Sequence, residues 1–299
     1  LGKSSSESTV KIEKKSVLSL DLSGVIEDRY QPTSFIQLIQ ESENSGTATL
    51  EEMLVAIDNA ADDDRIEGLY INCGGSAMGM AAREELIEAI GRFKEKGKWV
   101  YAYADSYAQG DYLVASTADT VVLNPIGAVD IHGVASITPF FKELLDKLGV
   151  KMQIVKVGTY KSAVEPYILT EMSEPARRQL QQYVDSLWSY YTETVGSNRG
   201  IATDSITAMA STFIGMREAP TFMADGLVDT LLYSRSIDDR LKTLAGLKED
   251  DDARFVSVSD YAANYMEKVS LTKKHIAVLY AVGEISDSGK EGIVGQTMV

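Results

Sequence analysis

Apolar and polar positions alternate along "VLSLDL" (17–22), with Leu18, Leu20 and Leu22 on one side of an extended chain and Ser19 and Asp21 on the other. That period of two predicts a β-strand. A long polar loop follows to Gly46, and then the spacing in "TLEEMLVAIDNAADDD" (49–64) becomes that of an amphipathic helix, with Thr49 and Glu52 placed as a capping box. "EGLYINC" (67–73) predicts a strand ending in the turn "GGS", followed by a helix through Arg92 and the strand "KWVYAYA" (98–104). "SYAQGDYLVAS" (106–116) begins as a loop and continues as a short helix, before the strand "TVVLNP" (120–125). "PFFKELLDKLG" (139–149) reads as a helix closed by Gly149, and "KMQIVKV" (151–157) as another strand. Strands alternating with helices imply a parallel sheet covered by helices, the α/β class.

Beyond residue 173 the pattern is mostly helical. "SEPARRQLQQYVDSLWSYYTETVGS" opens with Ser173, Glu174 and Ala176 in the arrangement of a helix start, and "DSITAMAS" and "EAPTFMADGLVD" follow. These helices are expected to pack around the sheet or to mediate contacts between subunits. The acidic "KEDDDAR" (248–254) reads as a solvated turn. A long-range echo is also present: "VLSLDLSGVIED" (17–28) matches "IAVLYAVGEISD" (276–287) at Leu20, Gly24, Ile26 and Asp28 against Leu279, Gly283, Ile285 and Asp287. The economical reading is a duplicated protein of which only the start of the second copy is included. The expected organisation is a flexible segment over 1–16, a first domain over 17–270 and the beginning of a second repeat over 271–299.

Composition narrows the partners. The 299 residues are 44% hydrophobic and carry a net charge of −15, which disfavours nucleic acid and anionic headgroups as partners of the surface at large. Cys73 is the single cysteine, so neither an internal disulfide nor a thiolate metal cluster is available. His132 and His275 are too few and too far apart for a metal site and read as structural residues; no cofactor is expected. No apolar run is long enough to span a bilayer, and the Ser-rich start resembles neither a signal nor a transit peptide. A chain that starts at Leu1 reads as a piece of something longer, with any membrane anchor upstream.

The stretch "VGTYKSAVEPY" (157–167) holds the candidate chemistry. Its flanks, "MQIVKVG" and "AVEPYI", are largely apolar, which places Lys161 near a protein interior. Lysine acts as a base only when neutral. At its ordinary pKa of about 10.4 roughly one molecule in a few thousand is neutral at pH 7. Burial that lowers the value to about 8 raises the neutral fraction to roughly a tenth. A neutral lysine can take the proton of a serine hydroxyl. The plainer alternative is a lysine that caps a strand end or pairs with Glu165.

"VGTYKSAVEPY", preceded by "GAVDIHGVAS" and followed by "MSEPARRQLQQYVDSLWSYYTETVGSNRGI", resembles the N-terminal half of the signal peptide peptidase A family in its long, duplicated form. These are membrane-anchored bacterial Ser-Lys proteases of the Clp protease/crotonase-like superfamily. The resemblance runs from about residue 17 to the end of the chain. It implies a spiral of repeated ββα units with additional C-terminal helices, ring- or dome-like homo-oligomers, and a body on the periplasmic side of the cytoplasmic membrane. It makes Lys161 the general base. The family's nucleophile motif, Ser-Gly-Gly-Tyr opening a helix after a strand, corresponds to "QGDY" here, so Gln109 stands in the serine's place. The serine is then expected from the second copy, and this chain alone is expected to be inactive. Ser106 lies three residues before that helix start and reads as a turn residue; Ser162 adjoins Lys161 and points the opposite way on an extended backbone. Gly74 and Gly75 of "NCGGSAMG" are either oxyanion donors or a tight turn. Trp188, Tyr190 and Tyr191 are expected to pack a core or an interface. Substrates would be released signal peptides or other extended apolar peptides, bound by strand-like main-chain pairing. One rival is an inert scaffold domain in which Lys161 is a relic. Another is an enzyme of coenzyme A thioesters, which this acidic sequence disfavours for want of a basic patch.

Overall fold

The N-terminal alternation becomes strand β1 (Ser16–Val25), in which Leu18, Leu20 and Leu22 are fully buried while Asp21 faces out. The structure, a computed structural model, describes residues 11–29, 48–248 and 250–266. Helix α1 (Leu50–Ala61) starts at Thr49, whose hydroxyl accepts from the Glu52 amide at 3.3 Å while the Glu52 carboxylate accepts from the Thr49 amide at 2.7 Å. Both bonds of the capping box are therefore formed. The chain then alternates through β2 (Ile66–Ala77), α2 (Met80–Glu95), β3 (Trp99–Ala104), α3 (Gln109–Ala115) and β4 (Thr120–Leu123). Two short strands complete the sheet, β5 (Thr230–Leu231) and β6 (Phe255–Ser257). The order is β5-β4-β3-β2-β1-β6, and every pairing is parallel.

The register puts Leu20, Ile71, Ala102 and Val121 in one row across four strands, all buried on the same face. Met53 and Ile57 of α1, Leu86, Ile90 and Phe93 of α2 and Leu113 of α3 pack in the same core. Each such side chain contributes about 2 kcal/mol by leaving water. On the opposite face, Tyr101, Tyr103 and Val122 pack with Ile237 and Leu241 of α9 (Ile237–Leu244). Covered on both faces, the central strands are apolar almost throughout, as buried parallel strands are. Cys73 lies buried at the end of this row of strands, and burial pushes its thiol well above the usual cysteine range.

The remaining helices are α4 (Lys142–Lys147), α5 (Glu165–Ile168), α6 (Glu174–Arg199), α7 (Thr203–Ala210), α8 (Ala219–Ala224) and α10 (Val258–Ala262). Three expectations need correcting. The predicted turn "GGS" instead continues β2, which pairs with β1 out to Val25 opposite Ala77, past an irregularity at Leu22/Ser23. The predicted helix over 139–149 forms only over Lys142–Lys147, although Gly149 does close it with a φ of 70°. Residues 151–157 form no strand. The sheet position beside β4 goes to β5, through Val122↔Thr230 and Leu123↔Leu231, so the apolar stretch has no ladder to join. The predicted second-repeat start over 271–299, with His275, lies outside the described residues.

Candidate functional site

In a parallel sheet the loops leaving the C-terminal ends of the strands converge, and this is where open α/β folds place their chemistry. Here the loop after β3 runs beside the loop after β4. The Tyr107 amide donates to the Ala128 carbonyl and the Asp130 amide to the Tyr107 carbonyl, both at 2.8 Å. The buried Tyr107 hydroxyl donates to the Val122 carbonyl at 2.9 Å, and Ser106 accepts from the Ala128 amide at 3.2 Å. Ser106 is thus a turn residue, as its position before the helix predicts.

Gln109 opens α3. Its side-chain oxygen accepts from the His132 amide at 2.8 Å and from the Gly133 amide at 2.9 Å, while its nitrogen donates to the Gly133 carbonyl at 3.0 Å. Two residues on, Asp111 is fully buried. Its carboxylate accepts from the Gly75 and Ser76 amides at 3.0 Å each and from the Ser76 hydroxyl. Arg83, from the buried side of α2, lies 3.5 Å from Asp111 and donates to the carbonyls of Gly110, Ser76 and Met78. Burial pushes the Arg83 guanidinium down, with Asp111 opposing. The Gly75 and Ser76 amides are therefore occupied, but by the chain's own carboxylate. Asp111 and Arg83 escaped the sequence reading. The one available signal was the Asp at the third place of "QGDY", where the family motif has Gly.

Lys161 lies on an exposed turn after Gly158, whose φ is 101°. This corrects the expectation of apolar surroundings: Val155 and Val157 are 97% and 84% exposed because the segment has no sheet to pack on. Nor is Glu165 its partner. The Glu165 carboxylate, 2% exposed, accepts from the Ser173 hydroxyl at 2.7 Å and amide at 3.1 Å, and pairs with Lys156 at 3.3 Å. The Ser173 hydroxyl is the main cause holding this carboxyl below the usual range. Tyr160 and Ser162, the neighbours of Lys161, line a groove of about 440 Å³ whose far wall is Ala176, Leu180 and Tyr183 of α6. Among the described residues no hydrogen bond joins Lys161 to Gln109 or to the "GGS" loop.

A sequence profile of peptidase family S49 matches residues 92–248, just over half of the chain. The chain belongs to peptidase family S49. The match takes in β3, Gln109, the lysine-bearing segment and the helices through α9. Among curated relatives, the S49 chain is 37% identical to Protease 4 of Haemophilus influenzae, over 83% of its own length and 42% of that protein. It is 32% identical to Protease 4 of Salmonella typhi, over 91% and 46%, and 24% identical to the chloroplastic serine protease SPPA of Arabidopsis thaliana, over 92% and 39%. The chain thus spans less than half the length of these relatives. These findings support its place with signal peptide peptidase A. Solved structures that it resembles include an enoyl-CoA hydratase/isomerase family protein from Silicibacter pomeroyi, at a TM-score of 0.39 and 15% identity over 80% of this chain and 83% of that one. The ClpP catalytic domain from Plasmodium falciparum gives 0.36 and 12% over 74% and 86%.

The other residues singled out in this S49 chain have structural partners. His132 pairs with Asp130 at 2.9 Å. Trp188 stacks on Tyr191 with centroids 5.3 Å apart, and Tyr191 is buried in the main core with Tyr190 packed against it. Among the described residues no cluster has the make-up of a metal site, and no helix is long and apolar enough to cross a membrane.

Proposed function

We propose that this chain is the lysine-bearing half of a membrane-associated Ser-Lys endopeptidase that degrades released signal peptides. One observation carries the reading. The lysine motif is presented at the surface beside a groove, with Glu165 turned to Lys156 and Ser173, while the nucleophile's place holds an amide bound to backbone. The second repeat would bring both the serine and the apolar cover that the exposed valines await. Lys161 then takes the proton of that serine, which attacks the scissile carbonyl. The lysine returns the proton to the leaving amine and activates the water that releases the acyl group. The oxyanion donors come from the second repeat too, because Asp111 occupies the Gly75 and Ser76 amides here. Extended apolar peptides are the substrates, homo-oligomers the working state, and the periplasmic side of the membrane the place of action.

The test is peptidase activity of the full-length protein carrying Lys161→Ala or Lys161→Arg. Arginine keeps the charge but cannot be deprotonated. Both variants are expected to lose about a thousandfold in kcat with KM little changed. Wild-type activity in either would leave the scaffold reading in its place.

A further inference from the structure

Gln109 stands where a nucleophile is expected, yet its amide is engaged at both ends. One oxygen takes two successive backbone N–H groups and the nitrogen returns a bond to the carbonyl of the second residue. Those residues, His132 and Gly133, end the loop that is strapped to Tyr107 through Ala128 and Asp130. Gly133 has a φ of 85°, a left-handed turn that redirects the chain. Beyond it the backbone leaves the core, and the described segment up to Lys161 includes Ile137, Val155 and Val157 at 92%, 97% and 84% exposed. The next buried side chain that ties it down is Glu165, through Ser173. The segment that carries Lys161 is therefore rooted at its start by Gln109, and further along it is held by the Phe141 amide on the Pro166 carbonyl and by Lys156 on Glu165.

We propose that Gln109 is a positioning residue: its side-chain amide fixes the His132–Gly133 turn from which the lysine-bearing segment springs, and so sets where Lys161 stands for the reaction. The catalytic half of this statement rests on the function proposed above. The chemistry explains the residue. An amide offers one acceptor oxygen to two N–H groups and, on a separate atom, a donor to the neighbouring carbonyl. Serine is too short to span the gap and asparagine is one methylene short. Glutamate keeps the acceptor but sets a carboxylate oxygen against the Gly133 carbonyl at about the present 3.0 Å.

Two readouts on the full-length protein test it: amide hydrogen exchange at His132 and Gly133, and steady-state kinetics, each for Gln109→Ala and Gln109→Glu. In Gln109→Ala the two amides are expected to exchange at least about tenfold faster while the sheet amides keep their protection. A displacement of the base of about 1 Å lowers kcat about a hundredfold, with KM within about twofold. Gln109→Glu, which retains both acceptor bonds, is expected to fall between wild type and Gln109→Ala on both readouts. Unchanged exchange at the two amides overturns the clamp. Faster exchange with kcat unmoved overturns its role in placing Lys161. A Lys161→Ala protein that stays active overturns the catalytic reading instead, and the exchange measurement still decides the clamp.

Discussion

At Gly110 a Cβ would lie 2.6 Å from the Arg83 guanidinium, so a side chain between Gln109 and Asp111 would push Arg83 out of its present place. That close approach lets Arg83 reach the Gly110 carbonyl at 2.9 Å and the Asp111 carboxylate together. Removing one partner of a buried pair leaves the other uncompensated, which costs about 3–5 kcal/mol. Asp111→Ala is accordingly expected to lose about that much in urea unfolding. The double change Arg83→Met with Asp111→Leu should cost less than the two singles added, and additive costs would refute the coupling. From the sequence, "QGDY" was legible as the start of a short helix after a strand. The lock around it was not, because Gly75 and Ser76 lie in a strand 36 and 35 residues earlier and meet Asp111 only once the sheet has formed.

Among the elements, α6 shows one serine serving two tasks. The Ser173 hydroxyl accepts from the Ala176 amide at 3.4 Å, capping the helix, and donates to Glu165 at 2.7 Å. Ser173→Ala should lower stability by about 1–2 kcal/mol in thermal unfolding, with faster amide exchange at Ala176. An unchanged melting curve would show the cap to be redundant. The capping at Ser173 and at Thr49 was readable because both depend on neighbours within four residues. The strand expected over 151–157 failed for the opposite reason. Its composition suits a strand, but a strand exists only by pairing, and β5, from some seventy residues later, holds the sheet position next to β4. Lys161 was then misplaced with it, since its expected dryness was borrowed from that strand.

At the largest scale, the described residues form one sheet system when 255–262 return to β1. β6 pairs with β1 from Val17↔Phe255 to Ser19↔Ser257, and the Tyr261 hydroxyl of α10 donates to Asp63 at 2.8 Å. Arg65 also binds Asp63, and chiefly for that reason the carboxyl falls from its ordinary value of 3.8 to about 2. A depressed carboxyl stabilises the fold above its unfolded value and loses that contribution as pH falls through its folded one. The fold should therefore weaken between about pH 4 and pH 2, by about 1 kcal/mol once screening at the partly exposed Arg65 is allowed for, with Tyr261 supplying a smaller part. Asp63→Asn should flatten the stability curve in that window, and an unaltered acid limb would argue against the link. The class of fold was legible from strand–helix alternation. The sheet order was not, because β5 and β6 are two and three residues long and reach their places by long returns.

The solitary thiol of Cys73, dry and 4% exposed, has a practical corollary. Alkylating dyes and spin labels react with thiolate at accessible sites, so the natural chain offers them almost nothing. A single new cysteine at Tyr160 or Val157 would carry the only reporter, with no background to remove. The mobility and accessibility of such a tag would report directly on the exposed segment that carries Lys161, in solution.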